Sequence, residues 1–244
     1  MKGLALERRN EVELERFGVR DNRRFYIVDG DGRRYGLLRD PRLWLVTPSW
    51  DEVANRLSLT FPNGTRVAGE VELDGRVTTD FYGRDVSGRV VAGDFGDALS
   101  EYVGQPLRLV MADNPGGAVD RSRGRVTMVS EASLAELARH AGRDAVDGRR
   151  FRMLIGVDGC GPHEEDEWLG GRVRVGEAVV ELYEQVARCA ITTQNPDTGE
   201  RDLDTLRTIK DYRGLRDGEA LDFGVFGEVA EPGRVRVGDA VAPI

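Results

Sequence analysis

Apolar and polar residues alternate in short runs up to about residue 92, and period two is the mark of half-buried strands. "RRFYIVDGDGRRYGLL" predicts two strands around an Asp-Gly-Asp-Gly turn, and "RLSLTFPNGTRVAGEVEL" a second pair around Asn63-Gly64. The pattern then changes: "DFGDALSEYVG" predicts a short helix and "PLRLVM" a strand. "ADNPGGAVDRSRGR" has the Pro, Gly and Ser content of a linker. Residues 1–112 are therefore expected to form one domain, 113–125 the linker and 126–244 a second domain.

The second half opens with the strand "RVTMVS" and the helix "SLAELARHAG". Ser133 with Glu136 fits a capping box, and Leu134, Leu137 and Ala138 give the helix one apolar face. "FRMLIGVDG" predicts a buried strand. "DLDTLRTIKDYRG" predicts another helix, opening at Asp202 or Asp204 and closing at Gly214. "GRVRVGEAV" at 171–179 returns as "GRVRVGDAV" at 233–241, which predicts two similar hairpins in one barrel. Many strands and few helices predict a mainly β fold with α, an α+β chain of β-barrel domains with peripheral helices.

Charge narrows the class. The net charge of −8 argues against a general nucleic-acid binder. Lys2 and Lys210 are the only lysines among 35 basic residues, so any anion site is built largely from guanidinium forks, which suit phosphate. No apolar run approaches the roughly 20 residues of a membrane helix. The opening "MKGLALERRNEVEL" lacks the apolar stretch of a signal peptide. A cytoplasmic location with reduced thiols, and no membrane partner, is the expectation.

Two cysteines stand out. Cys189 follows Arg188 in "RCAITTQNPDTG", where a neighbouring cation favours the thiolate, the form that binds soft metals. Thr192 and Thr193 add hydroxyls, and 195–199 is a turn signature in which Asp197 fixes the turn. The competing reading is a strand cysteine packed in the core. Cys160 lies in a glycine-rich loop, and a metal site of Cys160, Cys189 and His163 lacks the close ligand pairing of zinc sites. The acidic run 164–167 reads as a solvated loop, and His140 as a helix-end residue. No Gly-rich phosphate loop, G-x-S-x-G elbow or zinc-protease helix occurs.

The strings "RRFRMLIGVDGC", "EEDEW", "RCAITTQNPDTG", "LRTIKDYRG" and "FGVFGEVAEPGRVRVGDAV" follow one another as in a MOSC domain, the domain first defined at the C-terminus of molybdenum cofactor sulfurases. In the first half, "KGLALE", "RRFYIVD" and "RDPRLWLV" resemble the β-barrel domain that precedes MOSC in the mitochondrial amidoxime-reducing component and its bacterial relatives. The resemblance covers nearly the whole chain, and R-C-x-x-T-T-x-x-P-D-T-G is its specific part. It implies molybdenum cofactor (molybdopterin) held between the two halves, with Cys189 as the metal ligand and catalytic residue. It also implies that Lys2, Arg24, Arg152 and Arg188 hold the pterin phosphate, and that Thr192, beside the cysteine, and Phe226 contact the cofactor. Phe226 stands at the cofactor's edge, where amidoxime reducers tend to have a tyrosine. Asp166 and Trp168 match the acidic-Asp-x-Trp loop, with no role assigned.

The resemblance also has departures. The chain begins at Met1-Lys2-Gly3, where the family usually has a strand first, and Ser122 to Arg125 differ from the mitochondrial protein. The implied activity is oxygen removal from N-hydroxylated or other N-oxygenated small molecules. The alternative is a cofactor or sulfur carrier with a persulfide on Cys189. Sulfurases proper need a pyridoxal phosphate domain, for which this chain has no room. Two cysteines cannot make a four-cysteine iron–sulfur centre, and no haem or dinucleotide motif occurs. Electrons are thus expected from a separate flavoprotein, ferredoxin or haem protein.

Overall fold

The computed structural model describes residues 1–116, 119–123 and 125–244, which divide into two compact units. The first comprises Met1–Arg8, Asp21–Ser122 and Pro196–Gly199; the second comprises Arg9–Arg20, Arg123–Asn195 and Glu200–Ile244. The expected linker includes Gly117, Ala118 and Gly124, which lie outside the described residues.

In the first unit, a five-stranded antiparallel sheet runs in the order Arg34–Tyr35, Phe25–Asp29, Leu107–Ala112, Asp85–Val91, Leu73–Asp80. A three-stranded sheet joins Thr47–Asp51, Arg56–Thr60 and Arg66–Glu70. Both hairpins read from period two are present, with Ile27 opposite Tyr35 and Arg56 opposite Glu70. Phe25, Tyr26, Ile27 and Val28 are all buried, as a strand covered on both faces requires. Helix α1 (Phe95–Val103) buries Phe95 and Leu99 and stops at Gly104, which takes the left-handed conformation.

The second unit carries a six-stranded sheet in the order Ile155–Val157, Val126–Ser130, Asp222–Glu231, Ala178–Ala187, Arg172–Val175, Val241–Pro243. Its apolar side is valine-rich: Val126, Val173, Val175, Val180, Val225 and Val235 pack with Met128, Leu182 and Trp168. Helix α2 (Glu131–His140) follows Val126–Ser130, and helix α3 (Thr205–Arg213) follows the loop after Cys189. The expected α+β class, mainly strands with peripheral helices, is what the chain adopts.

Three local expectations need correction, and one resolves between its two alternatives. Ser130, not Ser133, caps α2: its Oγ accepts from Ser133 N at 3.0 Å, and Glu136 instead bonds Arg139 and His140. The strand read from "FRMLIGVDG" shrinks to Ile155–Val157, because Gly148–Phe151 forms a 3-10 turn capped by Asp147. Asp204 caps α3, accepting from Arg207 N, and Gly214 ends it. The 171–179 segment is a hairpin with Val175 opposite Ala178, but its echo is not. Gly233–Arg236 pairs with Glu11–Glu15, while Val241–Pro243 pairs with Arg172–Val175. An N-terminal strand takes the edge that hairpin closure would have used.

Candidate functional site

The long strand Ala178–Ala187 ends where Arg188 N bonds Leu221 O at 2.8 Å. Cys189 is then extended (φ −122°, ψ 174°) and N-caps the 3-10 turn Ala190–Thr193, yet its side chain makes no capping hydrogen bond. Its thiol is free and the residue exposed. Cys160 is half-buried against the valine-rich core, where burial first, then Glu165 and Glu164, push its thiol pKa up. Of the two, Cys189 is the more exposed residue.

The turn after Cys189 is locked from within. Thr192, 3% exposed, donates from its backbone N and Oγ1 to Cys189 O, and Oγ1 lies 2.6 Å from Thr205 Oγ1 at the head of α3. Thr193 Oγ1 donates to Ala190 O at 2.7 Å. Thr192, read from sequence as a cofactor contact, spends its hydroxyl on holding the cysteine's own carbonyl and the next helix.

Arg152 and Arg188 come together around Phe151. The 3-10 turn Gly148–Phe151 packs against Ala190–Thr193 and ends at Arg152, a buried arginine in the left-handed region at φ 53°. Non-glycine residues there are strained, and such strain concentrates at functional sites. Arg188 turns its guanidinium inward: Nε donates to Phe223 O at 2.8 Å and Nη1 to Phe151 O at 3.0 Å. Nη2 reaches Phe223 O and Met153 Sδ. Gly224 follows Phe223 with φ +77°, and a Cβ there would stand 2.5 Å from Met128 O, so only glycine fits.

Arg150 escaped the sequence reading. It is 6% exposed and binds Asp202 at 2.7 Å, while its Nε and Nη1 are buried without a hydrogen-bond partner among the described residues. Leaving such donors bare costs about 1–3 kcal/mol. The one signal was its place in "RRFR", which does not reveal burial. Asp202 also accepts from Asn195 Nδ2 at 2.8 Å, tying the loop to Arg150. The loop tip Pro196–Gly199 belongs to the first unit, where Gly199 (φ +76°) packs so that a Cβ would lie 2.6 Å from Pro41 O. That close approach accounts for the glycine of the P-D-T-G string.

Lys2 and Arg24 belong to the first unit, and both meet carboxylates. Lys2 and Arg23 grip Asp120. Burial pushes the Asp120 carboxyl up, but Arg23, Lys2 and Arg121 outweigh it and hold it well below the carboxylate range. Arg24 Nη1 bonds Asp21 at 2.7 Å, and Asp21 also accepts from Trp50 Nε1 at 2.9 Å. Phe226, on Asp222–Glu231, stacks on Tyr183 at 6.4 Å, and the Arg123 guanidinium lies 4.1 Å from the Tyr183 ring.

The acidic loop is a structural joint. Asp166 accepts from Arg213 and from Gln185 at 3.1 Å, and Trp168 is buried in the core. His163 Nδ1 faces Arg213, and its Nε2 lies 3.0 Å from Tyr212 OH. Both ring nitrogens of His163 therefore face protein partners, and among the described residues no three His, Cys, Asp or Glu side chains cluster as metal ligands. No helix of the described residues is long and apolar enough to cross a membrane.

The MOSC domain family model matches residues 115–242, and the model of the MOSC N-terminal β-barrel domain matches residues 1–106. The chain is 28% identical to "Mitochondrial amidoxime-reducing component 1" of Mus musculus, over 98% of this chain and 77% of that protein. The human protein of the same name is 26% identical over 95% of this chain and 77% of its own length. A "Molybdenum cofactor sulfurase" of Caenorhabditis briggsae is 34% identical over 47% of this chain and 16% of its own length.

Proposed function

From the premise that the chain belongs to the MOSC domain family, with a MOSC N-terminal β-barrel domain ahead of it, we propose a molybdenum-cofactor-dependent oxidoreductase acting on N-oxygenated small molecules. One observation carries the reading: an exposed thiol, Cys189, heads a turn locked by Thr192 and packed beside the arginine turn Gly148–Arg152. Relatives named as amidoxime-reducing components, aligned over nearly the whole chain, support the substrate class.

The residues present fit the molybdenum cofactor. Molybdenum carried on the soft sulfurs of the pterin would take one protein thiolate, and Cys189 is the exposed thiol that would supply it. An anionic group is matched by Arg152 and by the buried bare donors of Arg150. When bound, the cofactor supplies a two-electron reduction coupled to oxygen transfer. The chain's own part is to hold and orient. Cys189 presents sulfur from a backbone position fixed by Thr192, Arg152 gives charge from a strained turn, and Asp202 restrains the loop through Asn195.

A second reading, sulfur carriage on Cys189, is favoured by the same exposure of the thiol. Protein produced in a molybdate-supplied host separates the two. The oxidoreductase reading expects molybdenum and pterin to copurify with the chain and a reduced viologen dye to drive amidoxime turnover. A chain that carries persulfide sulfur, no molybdenum and no turnover would overturn it.

A further inference from the structure

We infer that Arg188 is a positioning residue, a brace that joins the turn carrying Cys189 to the turn carrying Arg152, rather than a ligand of an incoming anion. Its fork spans acceptors on two separate segments: Phe223 O on one, Phe151 O and Met153 Sδ on the other. Phe151 O belongs to the peptide bond that leads into Arg152, so the Nη1 bond acts directly on the left-handed residue. The guanidinium also lies 5.2 Å from the Phe151 ring, which stacks on Phe223 at 4.4 Å. At the other end of the residue, Arg188 N bonds Leu221 O and the next residue is Cys189. A lysine cannot reproduce this, because a point charge cannot serve acceptors on both segments in a planar fork.

The brace itself follows from these contacts alone. Its consequence, that Cys189 and Arg152 meet one group in fixed register, rests on the cofactor-binding reading of this site. Two roles thereby separate inside the R-C string: the arginine sets position and the cysteine meets the ligand.

The test is hydrogen exchange on the full chain produced without molybdate, comparing wild type with Arg188→Lys, Arg188→Met and Met153→Leu. The reporters are the amides of Arg152 and Leu154 on one side and of Thr192 and Gln194 on the other, all hydrogen-bonded in the wild type. Both Arg188 variants should speed exchange in the two segments together by about tenfold, the size of a lost charge-assisted bond. Met153→Leu, which keeps the fold if the arginine variants do not, should speed the first segment only. In molybdate-supplied protein, Arg188→Lys should lose as much molybdenum as Arg188→Met. Any metal it retains should show an altered paramagnetic resonance signal, which a distant packing defect would not produce. Wild-type exchange in Arg188→Lys, or metal retention restored by lysine, would overturn the brace. Coupled exchange in the Arg188 variants of a protein whose wild type never holds molybdenum would leave the brace standing and overturn the cofactor reading instead.

Discussion

Thr192 Oγ1 and Thr205 Oγ1 lie 2.6 Å apart, both residues almost wholly buried, and this bond ties the turn after Cys189 to the first residue of α3. Thr192→Val and Thr205→Val should each cost about 1–2 kcal/mol by stranding a buried hydroxyl or carbonyl. The double variant should cost less than the sum, since removing both partners strands fewer groups. Urea unfolding of the four proteins measures this; strict additivity would show that the two hydroxyls do not share a bond.

Asp202 and Arg150 predict an asymmetry. Arg150 is buried while Asp202 is partly exposed, so removing the carboxylate leaves a buried cation without its counter-charge. Asp202→Ala should destabilise by about 2 kcal/mol more than Arg150→Met, which removes the cation and its two bare donors together. Equal losses in denaturant midpoint would contradict this account of the pair.

His163 predicts a pH dependence. Burial first, then Arg213, lower its pKa, against weaker opposing pulls from Glu165, Asp166 and Glu136. The neutral ring suits the network, with Nδ1 accepting from Arg213 and Nε2–H donating to Tyr212 OH. Its folded pKa lies below the unfolded value of about 6.5, so the unfolded chain binds the proton more readily. The His163 contribution to stability is therefore full above the unfolded value and falls as pH drops through about 6.5 and below. Unfolding midpoints across that range should decline in the wild type and flatten in His163→Gln; a decline of equal slope in both would assign it elsewhere.

With Cys189 proposed for the metal, one cysteine remains, where a plant-type iron–sulfur relay needs about four. Cofactor-loaded protein mixed with NADH and an amidoxime should stay idle and turn over when reduced viologen is added. Oxidation of NADH by the isolated, flavin-free chain would contradict the need for a separate electron donor.

Much of the fold was legible because apolar periodicity, helix caps and turn residues report local structure directly. The hairpins at Asn63-Gly64 and around Asp29 to Arg33, both long helices of the second half and the α+β class all follow from them. Partner choice was not legible. Nothing in "EVELE" says that it will take the edge of Gly233–Arg236, because alternation encodes a face and not a neighbour. The R-C-x-x-T-T motif drew attention to Arg188 as a cation beside a thiol, but its charge is directed to carbonyls that only the fold brings near. Arg150 was invisible for the same reason, since burial of a guanidinium depends on a distant carboxylate, Asp202.

The central claim is that Cys189, and not Cys160, meets the metal. X-ray absorption at the molybdenum edge, on wild type, Cys189→Ser and Cys160→Ser from a molybdate-supplied host, tests it most directly. Cys189→Ser should lose a sulfur neighbour of the metal, or the metal itself, together with viologen-driven turnover. Cys160→Ser, altered in a half-buried thiol packed on the valine core, should match the wild type in both. An unchanged sulfur shell in Cys189→Ser, or the same loss in both variants, would contradict the assignment.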